Sequence, residues 1–211
     1  MVIAMLKNYS KIKNIILPNK KINYFVFSVI SIGFITGCIF LMLISNSDKE
    51  IVLNSVKNFV ININPNRLEI LKNVSIINFI YIILLIIFSL SLIGSILNIF
   101  IIYFKSIILG FTISSLVLTY NLKSIPIIIS YLLPSQLLNL FIIYILGIYS
   151  LLFSFKIIRQ VIYKKDNYIK IFIRKYIIII IICLIITIIS TIFESFIFPL
   201  LIDLIKNILK Y

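Results

Sequence analysis

Residues 74–104 read VSIINFIYIILLIIFSLSLIGSILNIFIIYF, a run with no charged side chain, bounded by Lys72 on one side and Lys105 on the other. An α-helix needs about 20 apolar residues to cross the hydrocarbon of a bilayer. The run is therefore long enough for one membrane span and an extension. Working outward, the pattern recurs: Ile22 to Ile44, Ser106 to about Tyr120, Ser124 to Phe155 and Tyr176 to Phe193 are all free of charge. The whole chain agrees, with 62% hydrophobic and 12% charged residues and a mean hydropathy of +1.22. A soluble domain carries about 25% charged residues. One of this size buries only about two-thirds of its surface, so the remainder here would form apolar patches of aggregating size. The sequence predicts an all-α polytopic membrane protein.

Charge placement supplies the topology. The net charge of +14 comes from 20 Lys and Arg against 6 Asp and Glu, a balance that resembles a nucleic-acid signal. The cations sit between apolar runs, however, so they read as topology signals and not as a nucleic-acid surface. Lys7, Lys11, Lys13, Lys20 and Lys21 precede the first run, and Lys156, Arg159, Lys164, Lys165, Lys170, Arg174 and Lys175 precede the last, opposed only by Asp166. Both groups belong in the cytoplasm by the positive-inside rule, which requires an even number of crossings between them. Four fit, and the last run makes five; six is the rival count.

The expected layout is a basic cytoplasmic segment over 1–21, a membrane domain over 22–202 and an external tail over 203–211. Spans are expected at about 22–44, 76–98, 106–122, 135–155 and 176–198, with Lys105 marking an inner turn and Lys123 an outer one. The first span is longer than a signal-peptide core and lacks a small-residue cleavage motif, so it reads as an uncleaved helix. Met5, Tyr9, Ile12 and Ile16 form an apolar stripe among the preceding lysines, fit to lie on the inner membrane surface. Pro126 and Pro134 interrupt the uncharged run 124–155, and a proline inside a helix removes a hydrogen bond and clashes with the preceding turn. That predicts a short interfacial or re-entrant segment ahead of the fourth span. The cytoplasmic loop is 156–175. The external loop is 46–73, where Ser47 and Glu50 have capping-box spacing. Val52, Val56, Phe59, Val60 and Ile63 follow at helical spacing, and Asn64-Pro65 stops that helix.

Few residues are fit for chemistry. The chain has no histidine, which excludes a Ser-His-Asp triad and any histidine-ligated zinc site. Asp48, Asp166 and Asp203 lie at loops or ends, and no phosphate-binding or dinucleotide fingerprint is present. Cys38 and Cys183 stand far apart inside apolar runs and read as small hydrophobes. No enzyme, cofactor or metal is expected. Gly33 and Gly37 form a small-xxx-small motif that lets helices approach closely; internal packing is its commoner use, a homo-oligomer contact the rarer. Gly110 with Ser114, and Ser91 with Ser95, read the same way. Glu194 adjoins a long apolar run, but about 27 Å of helix separates it from Tyr176, which puts it near the outer interface. Asn98, Gln136 and Asn139 read as interhelical hydrogen-bonding groups.

In order, these features resemble the stage II sporulation protein M family. Gly33 and Gly37 in the first span and a polar external loop are followed by Phe104-Lys105-Ser106-Ile107-Ile108-Leu109-Gly110-Phe111, by Leu133-Pro134-Ser135-Gln136 and by Glu194-Ser195-Phe196-Ile197-Phe198-Pro199. Ser106 stands where the family often has glycine, which is expected to loosen the closest helix approach. The resemblance marks Lys105, Pro134, Gln136, Glu194 and Pro199 as motif residues. It implies a non-enzymatic membrane scaffold at the sporulation septum that works with two cell-wall hydrolases to thin septal peptidoglycan during engulfment. Val52, Val56, Phe59 and Val60 are then the expected hydrolase contact. The alternative function is a small-solute or ion transporter using the broken helix at 124–135 and Glu194, because broken helices build binding sites within membranes.

Overall fold

Asn19 opens the first helix by accepting, through its side-chain oxygen, the Lys21 N–H at 3.0 Å. The computed structural model describes residues 19–62, 67–91, 93–129, 133–163 and 169–209; within helices, the side chains at 59–62, 67, 133–134, 161–163, 169–171 and 197–209 fall outside the description. The amphipathic stripe expected before residue 19 therefore lies outside the described residues. Helix α1 runs Lys20–Leu43. Ser45 then caps α2, Asn46–Asn62: its Oγ accepts the Asp48 N–H at 3.2 Å and donates to Asp48 Oδ2 at 2.6 Å. The cap thus sits two residues earlier than the expected Ser47–Glu50 pair. Ser45 wins because its oxygen meets the third residue of a helix that already starts at Asn46.

Helix α3 runs Arg67–Ser89 and α4 runs Gly94–Tyr120. Here the helices depart from the spans expected at 76–98 and 106–122. The chain turns within 90–93, through hydrogen bonds from the N–H of Ser91 to the Phe88 carbonyl and from the N–H of Gly94 to the Ser91 carbonyl, both 3.2 Å. A side chain at position 94 would run into the Phe88 carbonyl, so glycine is what allows so tight a hairpin. The reversal needs no charged residue, and Lys105 is carried into the middle of α4.

Asn121 ends α4 with a positive φ of 49°, which asparagine tolerates better than most residues. A 3₁₀ turn over Asn121–Lys123 and a short helix α5, Ser124–Ile127, follow. Helix α6, Leu133–Tyr163, has Pro134 in its first turn, where the missing N–H is harmless. The last helix, α7, is Ile169–Leu209. It continues past Pro199 and through most of the expected 203–211 tail.

Every element among the described residues is helical. Five helices are long and apolar enough to cross a membrane, with apolar stretches at Lys20–Leu43, Leu68–Ser89, Gly94–Ile127, Ser135–Gln160 and Phe172–Phe196. Helix α6 is the most enclosed of the five and touches α1, α3, α4 and α7, while α1 lies along α4. The core is formed by Val26, Ile82, Leu85, Ile102, Leu146 and Leu151 with their neighbours. Ile and Phe side chains such as Phe27, Ile87, Phe104 and Ile189 point outward. That is the expected distribution when the solvent is hydrocarbon rather than water.

Candidate functional site

The first contact to explain is that of α1 with α4. A Cβ at Gly33 would stand 2.8 Å from the Tyr103 carbonyl oxygen and 2.9 Å from Ser106 Cβ; one at Gly37 would collide with the Ile107 carbonyl, and one at Gly110 with the Phe34 carbonyl. Three glycines, two on one helix and one on the other, thus bring two backbones into direct contact. Ser106 does not loosen this approach. It is buried, and its hydroxyl turns back to donate to the Ile102 carbonyl at 2.9 Å, so it claims no room between the helices. Across the same seam Thr36 and Tyr103 share a 3.1 Å hydrogen bond, and Cys38 Sγ donates to the Gly110 carbonyl at 3.4 Å.

A layer of polar contacts joins the other helices. Asn98 Nδ2 on α4 donates to Ser150 Oγ on α6. Ser150 in turn donates to the Leu85 carbonyl on α3 at 3.0 Å. One turn along α6, Ser154 donates to the Ser91 carbonyl at 3.0 Å, and Tyr176 on α7 donates to Ser89 Oγ at 2.9 Å. Four helices are pinned over two successive turns by side chains whose alternative in lipid is an unmet polar group.

Among the described residues, Lys105 and Glu194 are the buried charged side chains. Lys105 is 6% exposed and Glu194 3%. The Lys105 Nζ lies 4.6 Å from the centroid of the Tyr81 ring, and the Glu194 carboxylate acts on it electrostatically. The sequence reading had Lys105 at an inner turn and Glu194 near the outer interface, on opposite sides of the bilayer. The fold brings the two together inside the bundle, because α4 begins at Gly94 and not beyond Lys105. A charge in this setting is stabilised chiefly by an opposite one. The signal for Glu194 was available: Thr187, Ser190, Thr191, Glu194 and Ser195 recur at helical spacing and are all buried. They form a polar stripe that marks the face of α7 turned into the protein. Tyr81 and Ser150 carried no comparable signal, since each partner lies on another helix.

At the other end of the bundle Tyr149, Phe153, Phe172 and Tyr176 stack, with Phe153 and Tyr176 centroids 5.0 Å apart. Lys156 covers this group, its Nζ 3.9 Å from the Phe172 ring centroid. Exposed Arg159, Arg174 and Lys175 continue a basic rim there.

The remaining candidates separate. Val56 on α2 packs on Leu116 and Ile127, with Ile113, Tyr120 and Ile128 around them. It is therefore partly buried against the fold. Val52 is half-buried; the Phe59 and Val60 side chains lie outside the described residues. The exposed face of α2 carries Ser47, Ile51, Asn54 and Asn58. Gln136 is half-buried in the first turns of α6 beside buried Ser135. Pro134 and Pro199 stand in α6 and α7, and their side chains lie outside the description. The structure brings Gly33, Gly37 and Gly110 together in one seam and buries both Lys105 and Glu194 inside the bundle, while α2 stands apart from that seam.

A family model described as Stage II sporulation protein M matches residues 26–199. No curated protein and no solved structure matches the chain.

Proposed function

The chain belongs to the Stage II sporulation protein M family, and from that membership we propose that it is a non-enzymatic scaffold holding two cell-wall hydrolases at the sporulation septum. At the coarser level it is a sporulation-related, multi-pass membrane protein. The observation that carries the finer reading is the posture of α2. Between two membrane-crossing helices the chain builds a separate amphipathic helix and fastens it, through Val56, to the end of α4 and to α5. A polar face with Ile51 at its centre is left outward. A helix held rigidly on a membrane domain is suited to docking, because little ordering remains to be done on binding.

The basic rim where α6 ends and α7 begins supports a cytoplasmic location there; in the proposed topology α2 and the C-terminal end of α7 then lie outside, on the side of the wall. Thinning of septal peptidoglycan is then the task of the bound hydrolases, and the scaffold positions them. Deleting the gene in a sporulating host tests this. The expected phenotype is a persistent septal wall with engulfment arrested, and normal engulfment in the mutant contradicts the reading.

A further inference from the structure

The interior around Lys105 contains hydrogen-bonding atoms with nothing to bond. Asn78 Nδ2, Asn139 Nδ2 and Ser190 Oγ are buried without a partner, in residues that are 7%, 3% and 0% exposed. Their positions can be read from the bonded layer. Leu85, Asn98 and Ser150 meet at one level. The Ser150–Leu85 and Ser154–Ser91 bonds show α3 and α6 running in the same direction, while α4 returns from the hairpin in the opposite one. Two turns from that level, about 10.5 Å away, α3 presents Asn78 and α4 presents Lys105. One turn further along α6 is Asn139. Asn78 lies one turn from Tyr81, whose ring faces the Lys105 ammonium. Ser190 lies one turn from Glu194, whose charge acts on that ammonium. Four helices therefore direct polar groups into one layer about a helical turn deep.

We propose that this layer is a hydrated chamber, holding ordered water bound by Asn78, Asn139 and Ser190 beside the opposed charges of Lys105 and Glu194. An unmet donor in a low-dielectric interior is costly, and buried polar atoms in native proteins nearly always have a partner. A buried water molecule makes roughly two to four hydrogen bonds to such atoms, and it both accepts and donates. One molecule accepts from at most two of the three donors, the two amide groups and the neighbouring ammonium, and donates to the Ser190 hydroxyl, so at least two molecules are needed to satisfy the group. Hydrogen-bonded water also spreads the fields of the two charges, which hydrocarbon cannot do.

Radiolytic hydroxyl footprinting of the full chain in lipid nanodiscs tests this, since hydroxyl radicals form where water stands. Tyr81 is expected to be modified at least about ten times faster than lipid-facing Phe104, although it is half-buried and Phe104 is exposed. In the double variant Asn78→Leu, Ser190→Ala the Tyr81 rate is expected to fall to that of Phe104, with Tyr24 at the membrane edge unchanged. Equal rates for Tyr81 and Phe104 in the unaltered protein overturn the chamber, and that comparison needs no variant to fold. Persistence of the Tyr81 signal in a folded double variant overturns the assignment of Asn78 and Ser190 as the water-binding groups.

Discussion

Gly37 and the Ile107 carbonyl leave no space between them for a methyl group, so the contact of α1 with α4 depends on the absence of a side chain. Overpacking a close contact typically costs about 1–3 kcal/mol. Gly37→Ala should lower the thermal midpoint in detergent measurably, and Gly37→Leu should abolish the monodisperse species. A wild-type midpoint for Gly37→Leu rules out the close seam. Lys105 and Glu194 make a different prediction. Removing one member of a buried charge couple is worth about 3–5 kcal/mol, while replacing both by apolar residues is often neutral. Lys105→Met and Glu194→Leu should each reduce resistance to denaturant sharply, and the double variant should recover much of the loss. Additive losses in a double-mutant cycle would show that the two charges do not act on each other. At this scale the glycines were legible because their spacing alone defines a helix face. The charges were not, because Lys105 divides two apolar runs and reads as a boundary. What makes it tolerable is a carboxylate far along the chain, and no local spacing reveals that.

Among the elements, α2 carries the test of function. Its capping serine and amphipathic spacing are local properties, so the helix was readable, although its start moved from Ser47 to Ser45 once Asp48 closed the cap. Which apolar positions face inward was not readable, because that depends on where Leu116 and Ile127 end up. Val56→Asp should bury a carboxylate in that cluster and lower the amount of protein in the membrane. Asn54→Arg with Asn58→Glu, on the exposed face, should leave the amount unchanged and impair engulfment. Immunoblots of membrane fractions beside septum imaging separate the two, and equal loss of protein in both would remove the distinction between the faces. The α3–α4 hairpin illustrates the limit of hydropathy. Residues 90–93 are apolar or small, like the helices on either side, and only the crowding of Gly94 against Phe88 marks the reversal.

For the molecule as a whole, the proposed topology, with all five long apolar helices crossing, has α2 and the basic rim on opposite faces. Single cysteines at Asn54 and at Lys175, in a chain whose Cys38 and Cys183 are replaced by serine and alanine, should react differently with an impermeant thiol reagent on intact cells. Position 54 should label and position 175 only after lysis; the reverse pattern inverts the topology. That five helices are long and apolar enough to cross was legible because five apolar runs are a property of composition along the chain. The way those helices pack was not, since it is set by polar side chains meeting between helices, as Asn98 meets Ser150.

The most direct test of a hydrolase-holding scaffold is affinity purification of the tagged full chain from crosslinked sporulating cells, with mass spectrometry of what accompanies it. Two peptidoglycan hydrolases should come with the unaltered protein and be lost when Ile51, Asn54 and Asn58 are replaced together by glutamate at an unchanged membrane level. Recovery of no hydrolase with the unaltered protein, or undiminished recovery with that variant, contradicts the account.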